Sequence, residues 1–459
     1  MKVPERFTER MRELLGAEAD AFLASLAEPS RVGLRVNTLK CSPERFEELS
    51  PWKLELVPWC KSGYLLSEPV RPGLHPLHRA GVYYLQEPSA MAVAEAVAPE
   101  PGDWVLDLAA APGGKATHLA SLMKNQGLLV ANEVTRGRVR ALGENLERWG
   151  ARHTLITQSS VARLVEQWGA VFGRVLLDAP CSGEGMFRKS EEALSMWSEH
   201  TVATCAARQD SLLAEAAQLV KPGGVLVYST CTFAPEENEA VVARFLQDMA
   251  EFRLEPLTLP GAQPGRPDWL GKASDAKLEH TARFWPHLSP GEGHFIAKLR
   301  RADGAKTRVE LTPFKPLPRQ AKDLWETFVH ETFAENPLSD APLTLQGDSL
   351  YAPPEMLPSL AGIQTLRTGL WLGTLKKNRF EPSHSLALAL TRRELAKVRT
   401  LDFAPDSPEL TRYLGGDVLE APGEDGWLVV TVSGFALGWG RRGRGTVKNF
   451  YPKGLRLRV

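Results

Sequence analysis

Between about residue 76 and residue 302 the chain alternates short apolar runs with amphipathic stretches of helical spacing. The apolar runs are WVLDLAA (104–110), GLLVANE (127–133), RHTLITQ (152–158), RVLLDAP (174–180), GVLVYSTC (224–231) and HFIAKLR (294–300). Each has the length of a buried strand bounded by turn residues. Between them, Val139, Leu142 and Leu146 predict one helix over 138–149, and Leu212, Leu213, Ala216 and Leu219 predict another over 209–219. Strand, helix, strand recurs, so the expected fold class is α/β, with a doubly wound, mainly parallel sheet.

The flanks break that pattern. Residues 1–75 combine helical starts (7–15 and 19–26) with Pro- and Trp-rich connections, the look of a small appended module. Residues 254–293 are rich in Pro and Gly with weak periodicity, which predicts a long loop or insertion before the last strand. Beyond residue 302, Pro313, Pro316 and Pro318 predict a linker and a first small α+β domain over 303–376, then a second over 377–459. A chain of 459 residues is expected to form roughly two to four domains, in agreement with these divisions.

Composition narrows the classes without choosing among them. Hydrophobic residues make up 43% and charged residues 24%, an ordinary globular balance. Lys+Arg and Asp+Glu both total 55, so any nucleic-acid contact must use a local patch. The opening MKVPERFTERMRELLG is charged throughout and no segment is apolar enough to span a bilayer, so a cytoplasmic, membrane-free protein is expected. The five cysteines are an odd number without a C-x-x-C pair, which argues against a disulfide scaffold or a zinc ribbon, and no metal is expected.

Candidate chemistry gathers at strand ends. In VLDLAAAPGGK (105–115) a strand runs into a small-residue, Gly-rich turn and then a helix. Ligands of open α/β sheets bind outside the carboxyl ends of strands, where such a turn offers free N–H groups at a helix start. It is neither G-x-G-x-x-G nor G-x-x-x-x-G-K-[ST]. Glu133 ends the next strand, where a carboxylate can meet ribose hydroxyls. A Gly-Gly turn is usually only a turn, and a lone strand-end Glu is usually solvated; their order and spacing together favour a nucleoside cofactor.

Two thiols also lie at strand ends, Cys181 in LLDAPCSGEGMF and Cys231 in LVYSTCTFAPEENE. Cys41, Cys60 and Cys205 read as small buried hydrophobes. Cys181 and Cys231, in polar turn contexts at the ligand-binding edge, read as reactive thiols, and nothing in the residues alone chooses between them as nucleophile.

The tail from 427 to 459 has no acidic residue and carries Arg441, Arg442, Arg444, Lys448, Lys453, Arg456 and Arg458 among Trp439, Phe450 and Tyr451. Cations that neutralise phosphates, glycines that allow close approach and aromatics that stack on unpaired bases suit RNA. A solvated hairpin is the plainer alternative.

In order along the chain, DLAAAPGGK, NEVTRGRVRALGENLERWG, LLDAPCSGEGMF and STCTFAPEENE resemble the motifs of the NOL1/NOP2/sun family of RNA cytosine-5 methyltransferases, over about residues 70 to 300. The resemblance implies a Rossmann-like methyltransferase domain over 76–302. It also implies S-adenosylmethionine held by Ala109, Ala110, Ala111, Pro112, Gly113, Gly114, Lys115, Glu133, Arg138 and Asp178. Catalytic roles carried over with it are Cys231 as nucleophile, Cys181 in product release, Asp178 in activating cytosine N3, and Lys115 beside them. Carbon 5 of cytosine is too weak a nucleophile to take a methyl group unaided; thiolate addition at carbon 6 makes it enamine-like. One departure from the family pattern is Gln158, Ser159 and Ser160 after the third strand, where an Asp is usual.

Upstream, RVGLRVNTLK (31–40) and HPLHRAGVYYLQEPSAM (75–91) are similar to the family's N-terminal segments, so that Arg31, Arg35, Asn37 and Lys40 are candidates for phosphate contact. The tail GWGRRGRGTVKNFYPKGLRLR looks like the PUA-like RNA-binding end domain of bacterial small-subunit ribosomal RNA methyltransferases of F type. That points to 16S ribosomal RNA or the small ribosomal subunit as partner, to a monomer, and to RNA contacts by Arg441, Arg442, Arg444, Lys448 and Lys453. The competing readings are a tRNA cytosine-5 methyltransferase, a DNA cytosine-5 methyltransferase using Cys181, and a non-catalytic RNA-binding assembly factor.

Overall fold

The structure, a computed structural model, describes residues 3–67, 70–271, 277–305, 307–339 and 341–457. Strands Trp104–Asp107, Leu128–Asn132, Thr154–Thr157, Phe172–Asp178 and Val220–Thr230 pair in parallel, with Trp104–Asp107 between Leu128–Asn132 and Phe172–Asp178. The strand His294–Arg301 closes one side antiparallel to Val220–Thr230. Successive residues face opposite layers, as a pleat requires. Val105, Leu129, Leu176 and Val227 enter one apolar core, while Leu106, Val130, Leu177 and Leu226 enter the other. Both faces are therefore buried, which is why these strands read as continuous apolar runs.

The sheet extends beyond the expected borders on both sides. The stretch 254–293, expected as a loop, carries strands Gln263–Pro264 and Ala282–Phe284, and with the preceding Phe252–Leu254 these pair onto the His294–Arg301 side. At the opposite edge Thr365–Thr368, expected within a separate small domain, pairs antiparallel with Thr154–Thr157. A single edge strand of mixed polarity has no periodic signature of its own; only the apolar sheet it caps gives it a place.

The N-terminal sheet, likewise, does not stop at residue 75. Strands Gly33–Val36, Leu54–Leu56 and Gly63–Leu66 are joined by Tyr83–Leu85. Helices Glu5–Leu15 and Ala19–Ser25 place Phe7 and Phe22 in a core with Phe187, Trp197, Phe233 and Trp285. Phe22 meets Phe233 edge-on with ring centres 5.0 Å apart. Those partners follow Cys181 and Cys231 in the chain, so the N-terminal helices brace both thiol loops.

Three of the four residues expected to meet phosphate in this module instead tie backbone together, Arg35 and Asn37 buried and Lys40 half-buried. Arg35, fully buried, donates from Nε to Gln86 (2.7 Å) and from Nη2 to Gly114 O (3.0 Å) and Thr117 Oγ1 (2.8 Å). Asn37 donates to Gly81 O and Trp149 O, both at 2.7 Å. Lys40 Nζ donates to Ala80 O (2.7 Å) and Arg148 O (2.9 Å). A buried donor must find carbonyls, and these sites supply them. Of the four, only Arg31 is exposed, beside Glu55.

Beyond residue 302, strands Thr344–Gln346, Ser349–Ala352, Leu370–Lys376 and Arg379–Pro382 form an antiparallel sheet. Strands Thr400–Phe403, Leu419–Glu420, Gly426–Val432, Phe435–Gly443 and Thr446–Asn449 form a second, mixed sheet, in which Thr400–Phe403 runs parallel to Gly426–Val432. The second covers the N-terminal sheet, for Leu34, Val36, Phe46 and Tyr83 share one apolar cluster with Leu410, Tyr413, Leu428 and Leu437. Arg152 fastens the C-terminal part to the central domain, donating from Nη1 to Glu394 (3.0 Å) and from Nη2 to Ala389 O (2.6 Å). Arg152→Ala is expected to lower stability by about 1–3 kcal/mol through the unpaired Glu394 and Ala389 carbonyl, seen as a lower denaturant midpoint.

Candidate active site

The turn after the Trp104–Asp107 strand is held from its far side by helix Arg136–Trp149. Arg138 Nη2 donates to Ala111 O (2.7 Å) and Asn145 Nδ2 to Pro112 O (2.8 Å). Gly113 has φ +115°, and an added Cβ would stand 3.3 Å from Asn145 Cβ, so this position needs glycine on both counts. Helix Gly114–Leu122 then starts and carries Lys115. The Arg35 bonds to Gly114 O and Thr117 support the same helix start from below.

Around this turn lie buried carboxylate oxygens without partners. Neither oxygen of the fully buried Asp107 accepts a hydrogen bond. Burial, with Asp178 nearby, pushes its carboxyl up to about 7. Glu133 is 3% exposed; its Oε1 accepts from Thr135 N (2.8 Å), but its Oε2, 3.4 Å from Arg138 Nη1, accepts nothing. Gln158, Ser159 and Ser160 are engaged in structure. Ser159 N donates to Asn132 Oδ1 (3.1 Å), Ser160 caps helix Val161–Trp168, and Gln158 N donates to Gln364 O (2.8 Å).

The ionisation of Asp107 gives a pH test. Its carboxyl is neutral in the fold up to about 7 but ionises near its ordinary value when unfolded, so stability declines as pH rises between those values and stays lowered above. Asp107→Asn is therefore expected to raise Tm at about pH 8 and to change it little at about pH 4. An equal shift at both pH values would exclude a charge effect.

On the next strands, four groups converge. Asp178 ends Phe172–Asp178; its Oδ2 accepts from Lys115 Nζ (2.8 Å) and its Oδ1 from Ser229 Oγ (2.7 Å), with His294 Nε2 3.7 Å from Oδ1. Burial opposes its charge, but Lys115 and then His294 hold the carboxyl well below the usual range. Lys115 loses to burial less than it gains from Asp178, with Cys231 a further contributor, and stays above its ordinary value.

The two thiols are in contact, Cys181 Sγ 3.4 Å from Cys231 Sγ. They follow neighbouring parallel strands that end in register, Asp178 opposite Ser229. The hydrogen bond to the Cys231 sulfur, burial and the nearby Glu237 together push the Cys181 thiol well up. Glu237 accepts from Ser182 N (2.9 Å) and Gln209 Nε2 (2.8 Å), and Glu184 accepts from Trp197 Nε1 (2.9 Å) and Phe233 N (2.9 Å). These buried carboxylates pin the two thiol loops to each other. Both stand in the quoted motifs, in SGEGMF and APEENE, but a glutamate in a polar turn gives no sign that it will be buried. Ser229 opens the quoted motif STCTFAPEENE but was given no role there, and His294, within a strand, carried no signal.

In the tail, Arg441, Arg444, Lys448 and Lys453 are exposed and Arg442 is half-buried. Lys448 lies over the Phe450 ring (5.5 Å) and Arg441 over Trp427 (5.6 Å). Trp439 and Tyr451, offered as base-stacking rings, are 1% and 3% exposed and belong to the core. Trp439 Nε1 donates to Ser383 O (2.8 Å), so its polar end is already satisfied. Arg458 lies outside the described residues.

This chain matches four family models in succession: the N-terminal domain of 16S rRNA methyltransferase RsmF over 3–88, 16S rRNA methyltransferase RsmB/F over 94–300, the RsmF first C-terminal domain over 327–390, and the methyltransferase RsmF PUA domain over 400–457. It is 34% identical to the ribosomal RNA small subunit methyltransferase F of Aeromonas salmonicida, covering 99% of this chain and 97% of that one. The chain belongs to the small-subunit ribosomal RNA methyltransferase F family. A second member, from Vibrio vulnificus, is 32% identical over the same shares. Among solved structures, a methyltransferase homologue from Pyrococcus horikoshii is 33% identical with TM-score 0.58, covering 65% of this chain and 95% of that one. NSun6 from the same organism, solved with an S-adenosylmethionine analogue, shares the fold at 24% identity and TM-score 0.56, over 66% and 99% of the two chains. The family places the Rossmann-like sheet and the PUA domain as expected.

S-adenosylmethionine, the family's cofactor, fits the residues present. Its ribose hydroxyls are donors, and the unpartnered Glu133 Oε2 is a buried acceptor. The residues that would hold its amino acid end are the helix start at Gly113–Lys115 and Asp178. Glu133→Ala is expected to weaken cofactor binding by about 10- to 100-fold, measured by calorimetry, through loss of charge-assisted bonds.

Proposed function

We propose that this protein transfers a methyl group from S-adenosylmethionine to carbon 5 of a cytosine in 16S ribosomal RNA, with Cys231 as nucleophile and Cys181 assisting release. The observation that carries this reading is the pair of touching thiols, 3.4 Å apart, at the ends of adjacent strands beside the Lys115–Asp178 pair. Bound S-adenosylmethionine supplies the electrophilic methyl group. The Cys231 sulfur, burial and Glu237 push the Cys181 thiol up, which favours its protonated form, while Lys115 is the cation that interacts with Cys231. In the proposed reaction Cys231 attacks carbon 6 as the thiolate, and Cys181 stands beside it for the later departure. Asp178, held in place by Lys115 and Ser229, is oriented for the N3 and amino edge of the base. A cytosine inside a helix would be flipped to reach them.

The test is methylation of 16S ribosomal RNA and of bulk tRNA from cells lacking the gene, followed by nucleoside mass spectrometry. 5-Methylcytidine in 16S RNA alone supports the reading; modification confined to tRNA selects the tRNA alternative, and no 5-methylcytidine removes both.

The C-terminal sheet is the proposed RNA platform, with Arg441, Arg442 and Lys448 around a shallow cavity that also takes Gly443 and Thr446. Charge reversal at Arg441, Arg444 and Lys448 is expected to weaken RNA binding. The log–log salt slope should become shallower by about 0.7–0.9 for each phosphate that the variant no longer neutralises. Binding that keeps its slope would take this sheet out of the interface.

A further inference from the structure

His294 is buried, 5% exposed, and neither ring nitrogen has a hydrogen-bond partner among the described residues. A buried imidazole normally satisfies at least one nitrogen, so an unsatisfied pair calls for a reason. Its Nε2 lies 3.7 Å from Asp178 Oδ1, within ion-pair reach but beyond a hydrogen bond. The strand His294–Arg301 runs antiparallel to Val220–Thr230 with Phe295 opposite Thr230. One more step in that register sets His294 across from Cys231, and directly opposed residues share a face of the sheet.

The chemistry under the proposed function, on which this inference rests, leaves a proton unassigned. Neutral cytosine N3 is an acceptor, and an ionised carboxylate is an acceptor too, so Asp178 alone repels the atom it is meant to activate. Lys115 keeps Asp178 ionised and is committed to that bond. We propose that His294 is the proton carrier for Asp178, its imidazolium delivering through the carboxylate the proton that N3 takes up as the thiolate adds to carbon 6. The thiolate pair forms the sulfur–carbon 6 bond, the carbon 5–carbon 6 π pair becomes the carbon 4–carbon 5 bond of the enamine, and the carbon 4–N3 π pair is left on N3. One proton passes from Nε2 to Oδ1 and from the carboxyl to that N3 pair. After the enamine pair has taken the methyl group, the N3 proton returns by the same path and the carbon 4–N3 double bond is restored; the carbon-5 proton then leaves to water, its bonding pair re-forming the carbon 5–carbon 6 double bond and expelling the thiolate.

The charged groups facing His294 are Asp178, Glu87 at the head of helix Pro88–Val97 and, through Asp178, Lys115. On its own turn Glu292 is already paired with Arg188 (2.5 Å) and Lys189 (3.4 Å). Among the described residues, the two carboxylates Asp178 and Glu87 and the paired Lys115 thus face the ring.

His294 acts through Asp178 and is a positioning residue, so its test needs more than activity. Single-turnover formation of the covalent protein–RNA adduct is followed in Cys181→Ala, in Cys181→Ala/His294→Gln and in Cys181→Ala/His294→Asn, from about pH 6 to about pH 9. The parent's rate should carry a limb that falls toward high pH, the mark of a proton that must be supplied for the step. Both His294 variants should be slower by about 10²–10⁴-fold and lack that limb. S-adenosylmethionine binding and Tm, measured alongside, should stay near the parent's. Variants that keep the parent's rate, or that slow while retaining its pH limb, overturn the proposal. Absence of any adduct in Cys181→Ala itself, with 5-methylcytidine still formed by the wild type, would overturn the thiolate assignment instead and this inference with it.

Discussion

Cys231→Ala is expected to abolish methyl transfer, by about 10⁴-fold or more, the scale on which enzymes lose turnover when their nucleophile is removed. Cys181→Ala is expected to behave oppositely. It should transfer one methyl group per enzyme and then stall as a covalent protein–RNA species that survives a denaturing gel. The difference follows from position. Both sulfurs reach the same point, 3.4 Å from each other, but different groups act on them: Lys115 interacts with Cys231, and Glu237, whose buried carboxyl is pushed up to about 7, lies by Cys181. Neither substitution removes much apolar surface from the core, so Tm and S-adenosylmethionine binding should be close to wild type for both. An adduct that accumulates in Cys231→Ala would exchange the two roles.

The contrast between those thiols also marks where sequence reading stops. The strands themselves were legible because both faces of the sheet are buried, making each strand an unbroken apolar run such as LLVAN at Leu128–Asn132. The Gly-rich turn, Glu133, Asp178 and both cysteines were legible because they fall at the carboxyl ends of those runs. Choosing between the thiols was not, since both stand in similar polar turns at the ends of adjacent strands and touch each other in the fold.

Arg35 illustrates a different failure. Its charge suggests a phosphate, yet it is enclosed against Trp149 at 4.6 Å and ties a helix start in place. Whether an arginine is buried depends on which elements close over it, and that information is non-local. The tail shows the same in reverse: Trp439 and Tyr451 belong to the core because helix His384–Ala389 and the neighbouring strands cover them, while Arg441 and Lys448 alternate outward along the hairpin. Domain limits drawn from composition miss Tyr83–Leu85 and Thr365–Thr368 for this reason, each strand being assigned by its pairing partner and not by its own residues.

Asp178→Asn is the second substitution with a large expected effect, and it separates two jobs of one side chain. The amide keeps the shape, so Ser229 can still donate to it, but it removes the negative charge that Lys115 and His294 face. Adduct formation should fall by about 10²–10⁴-fold, because an amide cannot pass a proton to N3. Stability should fall as well. The carboxyl of Asp178 is held below its ordinary value, so its contribution is present above that value and lost as pH falls; Lys115 is held above its own, so its contribution is present below that value and lost as pH rises. The pair therefore stabilises the fold across neutral pH and weakens toward both extremes, and Asp178→Asn should lower Tm most near pH 7. With side chains 15% and 27% exposed, solvent screens part of the loss, which is set at about 1–3 kcal/mol, below the cost of splitting a fully buried pair. If the variant loses stability as expected but forms adduct at the wild-type rate, Asp178 serves the fold and the cofactor alone, and the activation of N3 must be reassigned to Lys115 or His294, the ionisable groups that face the same carboxylate position.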